Sequence, residues 1–259
     1  MYHPFSVIET IKAAWHVVKK NYVTLIIYSI ISLALYKIIS FSTSLIYFTD
    51  STYNKIIIVL IMMIVQSYLT LSFYKLILTL IYREYYEFEF KDIVPTIKMV
   101  LNFVVIALCL VVLIGTVIFI NLRLHNHDSI IWVLDKLEIM ALIYLLIRSM
   151  FCICFIVDDD SGPFESLKQS FNATKGNFFR LIGLILMVLL FIALLLFVLN
   201  EFITLFVSED SKSADYIFEI AGLIWFAISF PTVQVMIMTT YKKLVYSHLD
   251  VDDDIAETN

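Results

Sequence analysis

Long apolar stretches alternate with short polar ones along almost the whole chain. The apolar runs lie near 22–43, 56–81, 99–120, 139–157, 181–200 and 217–239. Each reaches the roughly eighteen residues that a helix needs to cross a bilayer. A transmembrane β-barrel needs alternating strands of about ten residues, half the length of these continuous runs. The pattern therefore predicts an all-α integral membrane protein with six transmembrane helices. An even number of spans puts both termini on one side, and the basic residues decide which. Lys12, Lys19, Lys20, Arg83, Lys91, Lys98, Lys168, Lys175, Arg180, Lys242 and Lys243 fall on the side of the termini, against Lys55, Arg123, Lys136 and Lys212 opposite. Short cytoplasmic segments carry the excess of lysine and arginine, so both termini are expected in the cytoplasm. Tyr82, Tyr85, Tyr86 and Trp132 stand where interfacial aromatic belts are expected.

The segment before the first span has a different period. Ile8, Ile11, Trp15 and Val18 share one helical stripe, while Glu9, Lys12, His16 and Lys19 lie opposite. That arrangement predicts an amphipathic helix lying in the membrane interface. Ser6 followed by Glu9 fits a capping box at its start. The same pattern returns 156 positions later, where residues 6–26 align with 162–182. Glu9/Glu165, Lys12/Lys168, Lys19/Lys175, Asn21/Asn177, Leu25/Leu181 and Ile26/Ile182 are identical, and Trp15/Phe171 and Tyr22/Phe178 keep the aromatic positions. A weaker copy at 90–103 has Phe90, Ile93, Ile97 and Leu101 on a stripe and Asn102 at the span entrance. The chain reads as one membrane domain of three parallel repeats, about 1–82, 83–157 and 158–249, each a cytoplasmic amphipathic interfacial helix leading into a two-helix hairpin. Residues 250–259 form an acidic cytoplasmic tail. Parallel repeats differ from the inverted repeats of many secondary transporters.

Composition fits this reading. Of 259 residues, 61% are hydrophobic and 16% charged, and the mean hydropathy is +0.91. Lipid must cover that much apolar surface. The net charge of −5 comes largely from the acidic runs 158–160 and 250–257, which argues against nucleic acid as a partner. Cys109, Cys152 and Cys154 sit inside apolar runs, where they act as small hydrophobes. Glu9 and three lysines interrupt the first twenty residues, unlike a signal peptide.

Few residues could carry chemistry. Arg148 falls mid-way along the fourth run, where a charge costs roughly 2.5–3.5 kcal/mol on insertion scales. It is expected either to pair within the bundle, with Gln66 or Glu219 and with Lys37 as a competitor, or to bind an anionic headgroup or solute. Lys75 can snorkel to the headgroups. Pro231 is expected to kink the last span. His125 and His127 have metal-ligand spacing but too few companions, so no metal or cofactor is expected. Asp158, Asp159 and Asp160 precede Gly162-Pro163, where they suit the positive end of the following helix.

Residues 148–182 also carry a resemblance. Arg148, Phe151, Phe155-Ile156-Val157-Asp158, Gly162-Pro163, Glu165-Ser166-Leu167-Lys168-Gln169-Ser170 and Thr174-Lys175-Gly176-Asn177-Phe178 resemble the signature of the bacterial six-span membrane domain associated with glycerophosphoryl diester phosphodiesterases. Pro231 and Tyr241-Lys242-Lys243-Leu244 are similar to its last span. The resemblance implies the fold and a bacterial inner-membrane location. In such enzymes catalysis belongs to a separate soluble barrel, which this sequence does not contain. The expected function is a non-catalytic scaffold or accessory subunit with membrane lipid around it and a protein partner at the cytoplasmic face. The alternative is a transporter or binder of lipid or a small anionic solute using Arg148.

Overall fold

Polar backbone groups in lipid must be satisfied within the segment, which favours helices. A computed structural model describes residues 6–46, 52–82, 89–124, 128–205 and 214–246, and among them there is no strand. The helices are α1 (Val7–Ile46), α2 (Thr52–Tyr82), α3 (Ile97–Leu124), α4 (Asp128–Ser149), α5 (Cys152–Asp159), α6 (Pro163–Thr174), α7 (Phe178–Thr204) and α8 (Ala214–Tyr246). Among the described residues six helical stretches are long and apolar enough to cross a membrane, and each overlaps one of the apolar runs in the sequence. The acidic tail, His125 and His127, and Tyr85 and Tyr86 lie outside the described residues.

The chain divides into two units. The first holds residues 39–178. Its buried side chains gather toward one end: Leu71, Phe73, Tyr74, Leu76 and Ile77 of α2, Met99 and Val100 of α3, and all of Cys152 to Val157 except Ile153. Farther along α2, Ile56, Ile57, Val59 and Leu60 are exposed, as lipid-facing residues must be. The second unit comprises residues 3–38 and 179–259. There Val235, Met238, Tyr241 and Leu244 of α8 are fully buried, with Leu25 of α1 and Leu181 and Leu184 of α7. Trp225 donates its indole N–H to the carbonyl of Ile192 at 3.1 Å, which joins α8 to α7. Several hydroxyls inside the helices return to the carbonyl four residues back, as Ser29 does to Leu25, Ser67 to Met63 and Thr232 to Ile228, so these need no water.

Several local expectations change. α1 is two helical stretches joined at a kink: the backbone leaves helical geometry at Asn21 (φ −121°, ψ 18°), between the first segment and the span. The Asn21 side-chain amide donates to the Val17 carbonyl at 3.1 Å and occupies an acceptor at the bend. The Ser6 cap forms weakly, with the Glu9 N–H 3.5 Å from Ser6 Oγ. Around residue 90 there is a single 3₁₀ turn (Phe90–Ile93) where a surface helix was expected. The reason is Pro95, which pushes Val94 to extended dihedrals (φ −79°, ψ 119°). Lys75 donates to the Val94 carbonyl at 2.9 Å, so that contact, rather than snorkelling alone, accounts for its position.

The fourth run is two helices, with a break at Met150–Phe151. The aspartates then end α5 instead of opening α6. Asp160 takes the left-handed conformation (φ 51°) and pairs with Lys98 at 2.6 Å. Gly162 caps α6 and Pro163 starts it, the usual place for a proline that lacks a donor. α8 remains helical through Pro231.

Candidate functional site

The break between α4 and α5 interrupts the helical ladder and leaves backbone groups to be satisfied from elsewhere. Ser170, on α6, serves both sides of it. Its hydroxyl donates to the Arg148 carbonyl at 2.6 Å and accepts from the Phe151 N–H at 3.2 Å. One turn on, Thr174 Oγ1 accepts from Arg148 Nη1 at 2.9 Å and faces the carbonyls of Ser170 and Phe171 at 2.9 and 3.1 Å. α6 can approach this closely because its buried face is small: Ser166, Ser170, Ala173 and Thr174 are fully buried. Such small faces let membrane helices pack backbone to backbone.

The Arg148 guanidinium lies between two rings, 5.1 Å from the centre of Phe171 and 5.6 Å from that of Tyr144. Both distances suit cation–π attraction. Tyr144 in turn leans on Phe178, 5.5 Å between centres. A guanidinium has five N–H donors. Thr174 takes one, and Nε is buried without a partner. No carboxylate among the described residues pairs with Arg148. A cation, two rings and two hydroxyls can pin a helix or hold an anion; they do not form an acid–base pair.

The other residues singled out in the sequence fall as follows. Gln66, in the same unit, is exposed on α2, and the hydrogen bond of Arg148 goes to Thr174 instead. Lys37 and Glu219 belong to the second unit and are exposed there. Phe171, Lys175 and Asn177 share the first unit with Arg148, and Phe171 touches it. Trp15, Lys19, Asn21 and Pro231 lie in the second unit, where all but Asn21 line one cavity. Among the described residues no three His, Cys, Asp or Glu side chains gather to hold a metal. Sequence reasoning missed Tyr144, and it named Ser170 and Thr174 only within the family signature, without a role at the site. Their signals were present: Tyr144 stands four residues before Arg148, and Ser166, Ser170 and Thr174 recur every four residues, which places each set on one helix face.

The comparison with known proteins adds the family. No curated protein and no solved structure matches the chain. The family described as the membrane domain of glycerophosphoryl diester phosphodiesterase matches residues 119–257, more than half of the chain. The match takes in the break, the Ser170 clasp, Arg148 and Pro231, and so includes both stretches that carried the resemblance. This chain belongs to the family of the membrane domain of glycerophosphoryl diester phosphodiesterase, a membrane-integral domain distinct from the catalytic one.

Proposed function

We propose that the protein is a non-catalytic scaffold or accessory subunit of a bacterial inner-membrane complex, with both termini in the cytoplasm. Its repeated entry helices hold the inner leaflet on one face and a protein partner on another. One observation carries this reading. Positions 156 residues apart are buried alike: Thr10 and Ser166, Ala14 and Ser170, Asn21 and Asn177, Leu25 and Leu181. At Ile8 and Phe164 both are exposed. Each copy thus has three faces. Small residues fix it to the protein, aromatic and aliphatic side chains point outward, and charged ones such as Lys12 and Lys168 stand between. Exposed apolar groups beside lysines suit a lipid interface. Glu165, Lys168 and Asn172 offer a polar face for docking. A photo-reactive cross-linker at Asn172 tests this in intact membranes. One discrete adduct, lost on Lys168→Glu, supports it; a solitary, adduct-free monomer in mild detergent overturns it.

The unused donors of Arg148 favour a second reading, in which this cation binds lipid headgroups or a small anionic solute for transport. Anion flux in reconstituted vesicles that disappears in Arg148→Ala supports it. Flux that is the same in Arg148→Ala counts against Arg148 as part of the path.

A further inference from the structure

The second unit contains a cavity of about 340 Å³ between α1, α7 and α8. That is within the ~300–1,000 Å³ usual for small-molecule sites. Its walls are apolar: Leu25, Ile26, Phe191, Leu195, Ile228 and Pro231. The hydroxyl of Thr232, also in the wall, is bound to the Ile228 carbonyl at 2.8 Å. The cavity lies beside the kink of α1 and the proline of α8. On α1 its lining residues fall on either side of the bend at Asn21, and on α8 they include the proline.

The rim has a different character. Trp15, Lys19 and Tyr22 also line the cavity, and all three are exposed. They supply an indole N–H, an ammonium and a phenol, each able to donate a hydrogen bond. Trp15 is held by an edge-on contact with Phe191, 6.4 Å between ring centres. Lys19 has no acidic partner among the described residues. With Lys12 and Lys20 it gives residues 7–20 three lysines against the single acid Glu9.

The positions 156 residues on show what such a frame does when it is occupied. Phe171 and Phe178 correspond to Trp15 and Tyr22. In the first unit the guanidinium of Arg148 covers Phe171, and the ring of Tyr144 leans on Phe178. There the protein fills its own aromatic frame with a cation and a ring. Around Trp15 and Tyr22 an apolar cavity remains.

We infer that this cavity is a binding site for one anionic phospholipid, its acyl chain along Leu25, Leu195 and Ile228 and its phosphate at Lys19, Trp15 and Tyr22. An apolar trough between membrane-spanning helices selects an acyl chain. A lysine on a segment of net positive charge selects an anionic headgroup, at about 1 kcal/mol for each lysine near the surface. The inference is independent of both functional readings above.

Native mass spectrometry of the purified full chain tests it, with dioleoyl phosphatidylglycerol, dioleoyl phosphatidylcholine and oleate as probes. Wild type is expected to take up one phosphatidylglycerol in preference to both others. Ile228→Trp, which fills a partly exposed cavity position, removes that first lipid. Lys19→Gln keeps the lipid but lowers the preference over phosphatidylcholine about fivefold, the worth of one lysine. Lys98→Gln, an exposed position of the first unit, changes nothing. Equal uptake of phosphatidylglycerol and phosphatidylcholine, or of oleate, overturns the inference. So does unchanged uptake by an Ile228→Trp protein with a wild-type thermal transition, or loss of uptake in Lys98→Gln. Should Ile228→Trp fail to fold, Lys19→Gln decides alone: a preference equal to that of wild type overturns the site.

Discussion

Residues 7–26 and 163–182 share a frame of identical residues and bury four positions alike, Thr10/Ser166, Ala14/Ser170, Asn21/Asn177 and Leu25/Leu181, yet they end differently. The first kinks at Asn21, the one non-helical residue between its two helical stretches. The second stops at Thr174, turns, and restarts as α7 at Phe178. The residue before the asparagine differs: Lys20 in the first, Gly176 in the second, where the backbone is left-handed at φ +85°. A lysine resists that conformation and a glycine does not. Two further differences belong to the site. Ser170 replaces Ala14, and Thr174 replaces the nearly isosteric Val18. Only the second copy has a broken neighbouring helix to close and a guanidinium to hold. The same frame thus stands as a bend beside a cavity in one copy and a turn beside a clasp in the other, and three of the differences between the copies lie at the turn and the clasp.

Making the second copy resemble the first is the direct way to test this. Ser170→Ala has the largest expected effect, because it leaves the Arg148 carbonyl and the Phe151 N–H without partners. Two such buried groups cost about 2–4 kcal/mol, measurable by reversible unfolding in mixed micelles, with faster hydrogen exchange at Phe151. Ala14→Ser in the first copy is expected to change stability far less. Gly176→Lys follows at about 1–2 kcal/mol, the strain of a left-handed backbone for a residue with a Cβ. Lys20→Gly relaxes the first copy instead, and proteolysis near Asn21 in place of an intact α1 checks it. Thr174→Val keeps the shape but removes the acceptor of Arg148, at about 1 kcal/mol after allowing for partial exposure. Lys98→Ala breaks an exposed pair and is expected to cost no more than about 0.5 kcal/mol in the same unfolding assay. If it exceeds Ser170→Ala, the turn around Asp160, rather than the hydroxyl clasp, holds α6.

The long-range pattern was legible because lipid imposes it: five of the six apolar runs became one helix each and the fourth became two, and Asn21 and Asn177 stand at a kink and a turn. The break at Phe151 was not legible. Met150, Phe151 and Cys152 are as apolar as their neighbours, and the interruption depends on a hydroxyl nineteen residues away. The setting of Arg148 was half legible. Its cost pointed to a partner, but the search favoured charged and amide groups, whereas the structure uses Thr174 and two rings. At 90–96 the apolar stripe suggested a helix, and Pro95 overrode it.

The hydroxyl of Ser170 also sets an order in time. The carbonyl of Arg148 and the amide of Phe151 lie at a break whose closing group is made later in the chain. Because synthesis proceeds from the N-terminus, the fourth span emerges with its middle open. It closes only after α6 has been made and has folded back, so the end of one span waits on the beginning of the next.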